Sequence, residues 1–411
     1  MPHLAHARFR FVPVLSLALV LAVLGCGEDA QAPTAPALEP SFAKKPAGAL
    51  AFRQVSAGWV HACGVTLDNR AYCWSSNFGG QLGDGTTTSS LTPVPVAGGL
   101  EFREVSAGGG FSCGVTVDDL AYCWGKNDFG SLGDGTGNPS LTPVPVAGGL
   151  RFRRVRTGYF HACGVTTDDL GYCWGGDLAR GDEFLDRSRP FQVGLGLRFR
   201  ELSPALTSSG IEPFTCGVTL DDVAYWWGFN EFGQLGSGSI GGLSYHPVQV
   251  ASGLPFRQIN AGATRTCGVT PDRLAYCWGA NWFGDVGDGT PDGAIDIVRA
   301  APVPVVGGLR FRDLSDGGEY HNCGITLSGR AYCWGFNSSG QVGDGTTTNR
   351  PAPVPVVTRL HFSQLTTGTN FTCGVARGHA AYCWGANYGG QLGDGTTTSS
   401  PTPVPVAAPA P

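Results

Sequence analysis

Charge is scarce in this 411-residue chain: Asp, Glu, Lys and Arg together make up 14% of it. No stretch gathers Lys and Arg into a stripe, and the formal net charge is −5. The chain therefore lacks the electrostatic footprint of a nucleic-acid binder. No segment sustains a 3.6-residue apolar period with caps, which argues against long surface helices. There is no nucleophile motif, no phosphate-binding loop and no dinucleotide fingerprint, so nothing positive supports an enzyme and no cofactor or metal is expected. Methionine occurs once. What is abundant is glycine, with 64 residues, in a chain that is 42% hydrophobic. That profile suits many short strands and turns. The length exceeds what one layered core usually organises, so several domains or a repeat architecture are expected.

The first residues read as a processing signal and stand apart from the fold. Arg8 and Arg10 give a positive start, and FVPVLSLALVLAVLG is an apolar run too short for a comfortable membrane span. Val23-Leu24-Gly25-Cys26 follows and resembles a bacterial lipobox, in which Cys26 would receive a lipid and become the first mature residue. Residues 1–25 are thus expected to be a lipoprotein signal peptide. Residues 26–49, rich in Pro and Ala, read as a disordered tether. An ordinary cleaved signal peptide with an incidental cysteine would give a secreted protein instead. Either way the chain is expected to be exported, to the cell envelope if lipidated, and so to meet an oxidising compartment.

Residues 50–411 are repeats. Copies begin near Phe52, Phe102, Phe152, Phe199, Phe256, Phe311 and Phe362, at spacings of 50, 50, 47, 57, 55 and 51 residues. The shared pattern is F-R-x-V-S-A-G, then C-G-V-T-x-D-x-x-A-Y-C-W-G-x-N-x-x-G-Q-L-G-D-G-T-T-T, then T-P-V-P-V. Each copy offers four short strands: F-R-x-V, C-G-V-T, A-Y-C-W and a Pro-bearing P-V-P-V run. Proline removes a ladder donor, so the fourth strand belongs on a sheet edge. Seven four-stranded units predict an all-β, seven-bladed propeller. An open solenoid would need a capping copy with a polar outer face, and none is present.

WGANYGGQLGDG from Trp384 and WGFNSSGQVGDG from Trp334 resemble the regulator of chromosome condensation repeat. The seven copies cover essentially everything after the tether. The resemblance implies a seven-bladed propeller, in agreement with the strand count. Its known members include a eukaryotic guanine-nucleotide exchange factor and a secreted bacterial inhibitor of β-lactamases, and fold alone transfers neither activity. An exported acidic chain would meet neither chromatin nor a nuclear GTPase.

Two cysteines lie ten residues apart in six copies, as in HACGVTLDNRAYCW from His61. Pairing the strands so that Val65 faces Ala71, with Leu67-Asp68-Asn69 as the turn, sets Cys63 opposite Cys73. Opposed Cβ atoms come within about 4.5–5.5 Å, close to what a disulfide requires. The expected disulfides are Cys63–Cys73, Cys113–Cys123, Cys163–Cys173, Cys267–Cys277, Cys323–Cys333 and Cys373–Cys383. Zinc does not use this spacing. Cys216 faces Trp226 and is left as a free, buried thiol.

Other recurrent residues have structural explanations. One Tyr and one Trp per copy (Tyr72 and Trp74 in the first) suit inter-blade packing better than a ligand cage. The G-D-G segments at Asp84, Asp134, Asp288, Asp344 and Asp394 suggest turns, since one carboxylate per loop falls short of calcium's oxygen set. His61, His161 and His321 share one position, filled by Phe111, Phe214, Arg265 and Phe371 elsewhere. Exchange with Phe points to packing.

Departures from the repeat carry the functional reading. Loops between strands one and two vary, at Trp59, Tyr159 and Phe160, Glu212, Glu319 and Tyr320. Loops between strands three and four diverge in three consecutive copies: DLARGDEFLDRSRP after Gly176, SGSIGGLSYHP after Gly236 and PDGAIDIVRAAP after Thr290. In an up-and-down blade both loop sets emerge on one face, and variation on a rigid scaffold is where binding loops usually sit. The expectation is a monomeric binding module whose face takes a protein, or else a glycan. Trp59, Tyr159, Phe160, Tyr245, Glu319 and Tyr320 are the candidate contacts, and the only membrane contact is a lipid at Cys26. The alternative is an extracellular hydrolase or lyase using loop carboxylates such as Asp182, Glu183 and Asp186.

Overall fold

The structure, a computed structural model, describes residues 48, 50–176, 187–207, 213–291, 298–315 and 317–409. The signal segment, Cys26, the tether through residue 47, Glu212 and the carboxylates Asp182, Glu183 and Asp186 lie outside the described residues. Among those described, 28 strands form seven antiparallel four-stranded sheets, each built from four consecutive strands. Within a blade the strands are called a to d. In blade 1 they are Phe52–Ala57, His61–Thr66, Ala71–Ser75 and Ser90–Pro95. Blade 7 repeats them at Phe362–Thr367, Phe371–Ala376, Ala381–Gly385 and Ser400–Pro405. The d strand lies at the sheet edge in every blade, where missing donors cost no ladder bond, and it bears proline in all but blade 3.

The cysteine register is the one the spacing predicts. Val65 faces Ala71 and Cys63 faces Cys73, and all six expected pairs are disulfide-bonded with Cα atoms 4.0 or 4.1 Å apart. The turn between strands b and c closes with Asn69 at φ 65° and Asp119 at φ 69°, a region Asn and Asp tolerate better than most residues. Cys216 pairs with Trp226 across the ladder and is buried and free.

The core consists of seven seams between blades. Strand b of blade 1 is buried along its whole length, because neighbouring blades cover both of its faces. In one seam Phe102, Val105 and Trp124 of blade 2 pack on the Cys63–Cys73 disulfide, Val65 and Leu82 of blade 1. The tryptophan is fully buried, and its Nε1–H donates to the Gln81 carbonyl of the preceding blade at 3.0 Å. Burying such a ring contributes about 2–3 kcal/mol. The Leu-Gly pair of the repeat follows from this contact, since a Cβ on Gly83 would come within 2.6 Å of the Trp124 indole.

Ring closure uses the same contacts and exchanges no strand. Trp74 donates to the Gln391 carbonyl of blade 7 at 3.0 Å. The Gln364 side chain grips both the amide and the carbonyl of Val55, at 2.9 and 2.7 Å. Blade 7 therefore meets blade 1 as blade 1 meets blade 2.

Candidate partner-binding face

The a–b and c–d loops emerge together on one face of the ring. The a–b loops lean on one another around it. The Trp59 amide donates to the Gly108 carbonyl at 3.1 Å, Gly109 to Gly158 at 3.2 Å, and Tyr159 to Ala205 at 3.2 Å. Gly109 has to be small, because a Cβ there would meet the Tyr159 carbonyl at 2.4 Å and its ring at 2.9 Å. The bare Gly108-Gly109-Gly110 loop of blade 2 lets Tyr159 reach over to Trp59, with ring centroids 5.2 Å apart.

Tyr159 also packs on Phe160 at 4.4 Å, and Phe160 packs on Phe129 at 5.3 Å. The Lys126 ammonium sits 4.7 Å above the Phe78 ring and 3.9 Å from Asp128. Trp59, Phe78, Lys126, Asp128, Tyr159 and Phe160 surround a dimple of about 50 Å³. Phe78 and Phe129 remain 51% and 62% exposed, so the cluster is a solvent-facing aromatic surface with a polar edge.

A second cluster covers blades 4 to 6. Phe232 meets Trp282 at 4.9 Å, Phe283 meets Phe336 at 4.7 Å, and Tyr320 contacts Trp282 and Phe283 at 6.3 and 5.6 Å. Beneath it Arg265 and Asp285 form a fully buried ion pair at 3.1 Å. The Arg265 guanidinium also donates to the carbonyls of Gly318, Glu319 and His321 and to Asn322 Oδ1. It thereby fixes the loop that carries Tyr320. Burial raises the Asp285 carboxyl to about 6 even with the guanidinium beside it.

The c–d loops are held by their asparagines. Asn77 Nδ2 donates to Asp84 Oδ1 and to the carbonyls of Thr86 and Thr88, while its Oδ1 accepts from the Leu82 amide. Asp84 in turn accepts from Thr86 N and Oγ1. The carboxylate of each G-D-G turn is thus a hinge pin of its own loop. The three histidines are buried, and each Nε2 bonds a hydroxyl of the next blade: Ser112, Thr215 or Thr372. Burial pushes all three imidazoles down to about 3, so they are neutral packing groups.

Of the residues singled out in the sequence, Trp59, Tyr159 and Phe160 come together, and Tyr320 anchors the second cluster. Glu319 is only 2% exposed. Its charge, after burial, raises the Tyr159 phenol, so Glu319 lies near Tyr159 but under the surface. Tyr245 sits elsewhere, on the rim strand Leu243–Gln249. There it lines a groove of about 480 Å³ with Phe191, Leu195, Leu197 and Trp227. The groove opens because strand d of blade 3 shrinks to Phe191–Val193. Sequence reasoning missed Phe78, Phe129, Phe232, Trp282, Phe283 and Phe336. Their signal is positional: five of them follow the loop asparagine within two residues, and Phe336 precedes it.

Known proteins share this architecture. The family model described as the regulator of chromosome condensation (RCC1) repeat matches residues 68–115, 118–165, 221–269, 328–375 and 379–410. A second RCC1 model matches 52–81 and 102–131. The matched unit 68–115 straddles a seam, taking strands c and d of one blade with a and b of the next. The Ultraviolet-B receptor UVR8 of Arabidopsis thaliana is 31% identical over 39% of this chain and 38% of its own length. The human E3 ubiquitin-protein ligase HERC2 is 29% identical over 44% of this chain and 4% of its own. The chain thus matches well under half the length of these curated relatives. Among solved structures, Prp20p from Saccharomyces cerevisiae superposes with a TM-score of 0.71 at 19% identity, covering 84% of this chain and 87% of that one. Human WBSCR16 gives 0.71 at 16% identity, covering 82% and 94%. At such identities the likeness speaks for fold alone. With family models matching over half of its residues and seven four-stranded blades in place, the chain belongs to the RCC1 repeat family.

Proposed function

We propose that the propeller is a non-catalytic binding module that presents its a–b and c–d loop face to a protein partner. The observation that carries this reading is the two aromatic clusters, each of rings in mutual contact, partly exposed and set on loops pinned by backbone, asparagine and arginine contacts. Aromatic anchors held rigidly lose little entropy on binding and dominate interface energetics. Relatives fit the same use: the Prp20p structure is described with binding to Gsp1p and histones, and yeast RCC1 has been solved with Kap60 bound. The six disulfides suit an oxidising, extracellular setting, and we place the module in a bacterial cell envelope, periplasmic or surface-facing, anchored by a lipid on Cys26. Loss of membrane fractionation in Cys26→Ala tests the anchor. Affinity capture from the native envelope, repeated with Tyr159→Ala and Phe129→Ala, tests the face. Each substitution should weaken the captured complex by about 1 kcal/mol or more, whereas Asp118→Ala on the opposite face should leave it intact. The reverse pattern defeats the assignment.

A further inference from the structure

On the opposite face the first strands of all seven blades surround a cavity of about 470 Å³. It opens at the b–c turn end, because its lining comes from the second to fifth residues of the a strands, near where Phe52 pairs with Thr66. Towards the other end Ser56, Ala57, Ser106, Ala107 and Thr157 leave space of only about 30 Å³. The axis is therefore a bowl with a constricted floor. Its volume falls within the range of about 300–1,000 Å³ typical of small-molecule sites.

The bowl is positive in a chain whose formal charge is −5. Arg153, Arg154, Arg156, Arg200 and Arg257 line it against Glu104, Glu201 and Asp313, an excess of two positive charges among the lining residues, with Asp169 and Asp222 pairing Arg153 and Arg200 from outside the lining. A concave site with low-dielectric walls concentrates such a field.

Arg153, Arg200 and Arg257 help join the blades, donating to the Phe199, Arg257 and Arg312 carbonyls of the next blade, whereas Arg154 and Arg156 depart from the repeat. Gln54 grips the carbonyl and amide of Val105 at 2.7 and 3.0 Å, and Gln258 does the same to Leu314 at 2.9 and 3.0 Å. A neutral glutamine thus completes the inter-blade contact. Blades 2 to 4 instead place Glu104, Arg154 and Glu201 at this position. Glu104 and Glu201 still accept from the next blade's amide, at 2.8 Å each. Their outer oxygens hold Arg154 at 3.7 and 3.4 Å. Two residues further along the strand, Arg156 stands where other blades have Ser56, Ser106, Ser203, Asn260, Ser315 and Thr366. It lines both the bowl and the constriction, which puts its side chain at the floor. Burial first, then Arg273, pulls the Arg257 guanidinium below its usual range, with Asp313 and Glu201 opposing.

We propose that this bowl binds a small dianion with its charge on oxygen atoms, a phosphate or a dicarboxylate, through Arg156, Arg200 and Arg257. Planar guanidinium groups match such oxyanions in bidentate fashion. The site lies on the face opposite the aromatic clusters, so it stands or falls independently of the partner-binding face.

Calorimetric titration of the intact protein at low ionic strength tests it, using inorganic phosphate and succinate as probes and acetate and chloride as monovalent controls. At least one dianion should bind at a single saturable site with Kd below about 1 mM and raise the melting temperature. Whichever of the two binds identifies the source. Arg156→Ser introduces the residue four other blades carry there, and should weaken binding at least about tenfold with an unchanged circular dichroism spectrum. Should that variant not fold, Arg200→Gln decides by the same criterion. Absence of saturable dianion binding, equal binding of acetate or chloride, or a folded variant with wild-type affinity would each overturn the proposal.

Discussion

Gly393 illustrates how one residue governs a seam. It has φ 64°, and a Cβ there would lie 2.7 Å from the Trp74 indole across the junction of blades 7 and 1. Gly393→Ala should destabilise the ring by about 1–3 kcal/mol through overpacking, read as a lowered denaturation midpoint with an unchanged slope. Histidine sets the acid limit. His61, His161 and His321 fall from 6.5 to about 3 in the folded state, so folding favours their neutral forms. The stability they contribute is complete above pH 6.5 and is lost progressively between 6.5 and 3. At pH 5 the loss is about 2 kcal/mol per histidine. Asp285, raised from 3.8 to about 6, acts with the opposite sign and returns about 1 kcal/mol over the same interval. Denaturation at pH 7 and pH 5 should therefore show a net loss of several kcal/mol, and His161→Phe, the residue used in blades 2, 4 and 7, should reduce it. A pH-independent midpoint would contradict the burial of these rings.

At the scale of the element, the b–c hairpin is the stapled unit. Its two-residue alternation and its polar turn were legible in the sequence, and so was the register, because only one pairing sets the two cysteines of each copy opposite each other. Replacing Cys113 and Cys123 together by Ala should cost about 2–3 kcal/mol in the loop-entropy model, with the blade still formed by its seams. Mass spectrometry of the non-reduced, denatured propeller should find one alkylatable thiol, Cys216. In the native protein that thiol should react slowly, since burial first, and then Glu201, raise it well above its ordinary value. Six or more reactive thiols would remove the staples from the account. The c–d loops were less legible. Their aromatics fall at different offsets from the asparagine, and without the loop geometry an exposed Phe78 cannot be told from a packing Phe102.

For the whole molecule, closure without strand exchange makes the junction of blades 7 and 1 like that of blades 1 and 2. Gly48 and Ala408 lie close enough that a Cβ on Gly48 would sit 3.9 Å from the Ala408 Cβ. A circular permutant opened between Gly98 and Gly99, with residues 50 and 407 joined by a short linker, should fold and melt within a few degrees of the parent. Deleting blade 7, by contrast, should leave the seam faces of blades 1 and 6 uncovered and abolish cooperative melting. If the permutant fails while the deletion survives, closure rests on something other than the Trp74 and Gln364 contacts.

The sequence by itself determined the blade count, the four strands of each blade, the edge position of the proline strand and the cysteine partners. These follow from local periodicity repeated seven times, and repetition averages out the ambiguity of any one copy. Only the tertiary structure decided how the last blade meets the first, because side-by-side closure and strand exchange place the same residues in the same strands. It alone moved Tyr245 to the rim and Glu319 beneath the surface, since loop length does not say where a side chain is buried. It alone brought Trp59 to Tyr159, a hundred residues away, over a glycine loop, and gathered arginines from the first strands of three blades into one bowl. Those meetings depend on curvature around an axis, and no stretch of chain shorter than the ring encodes it.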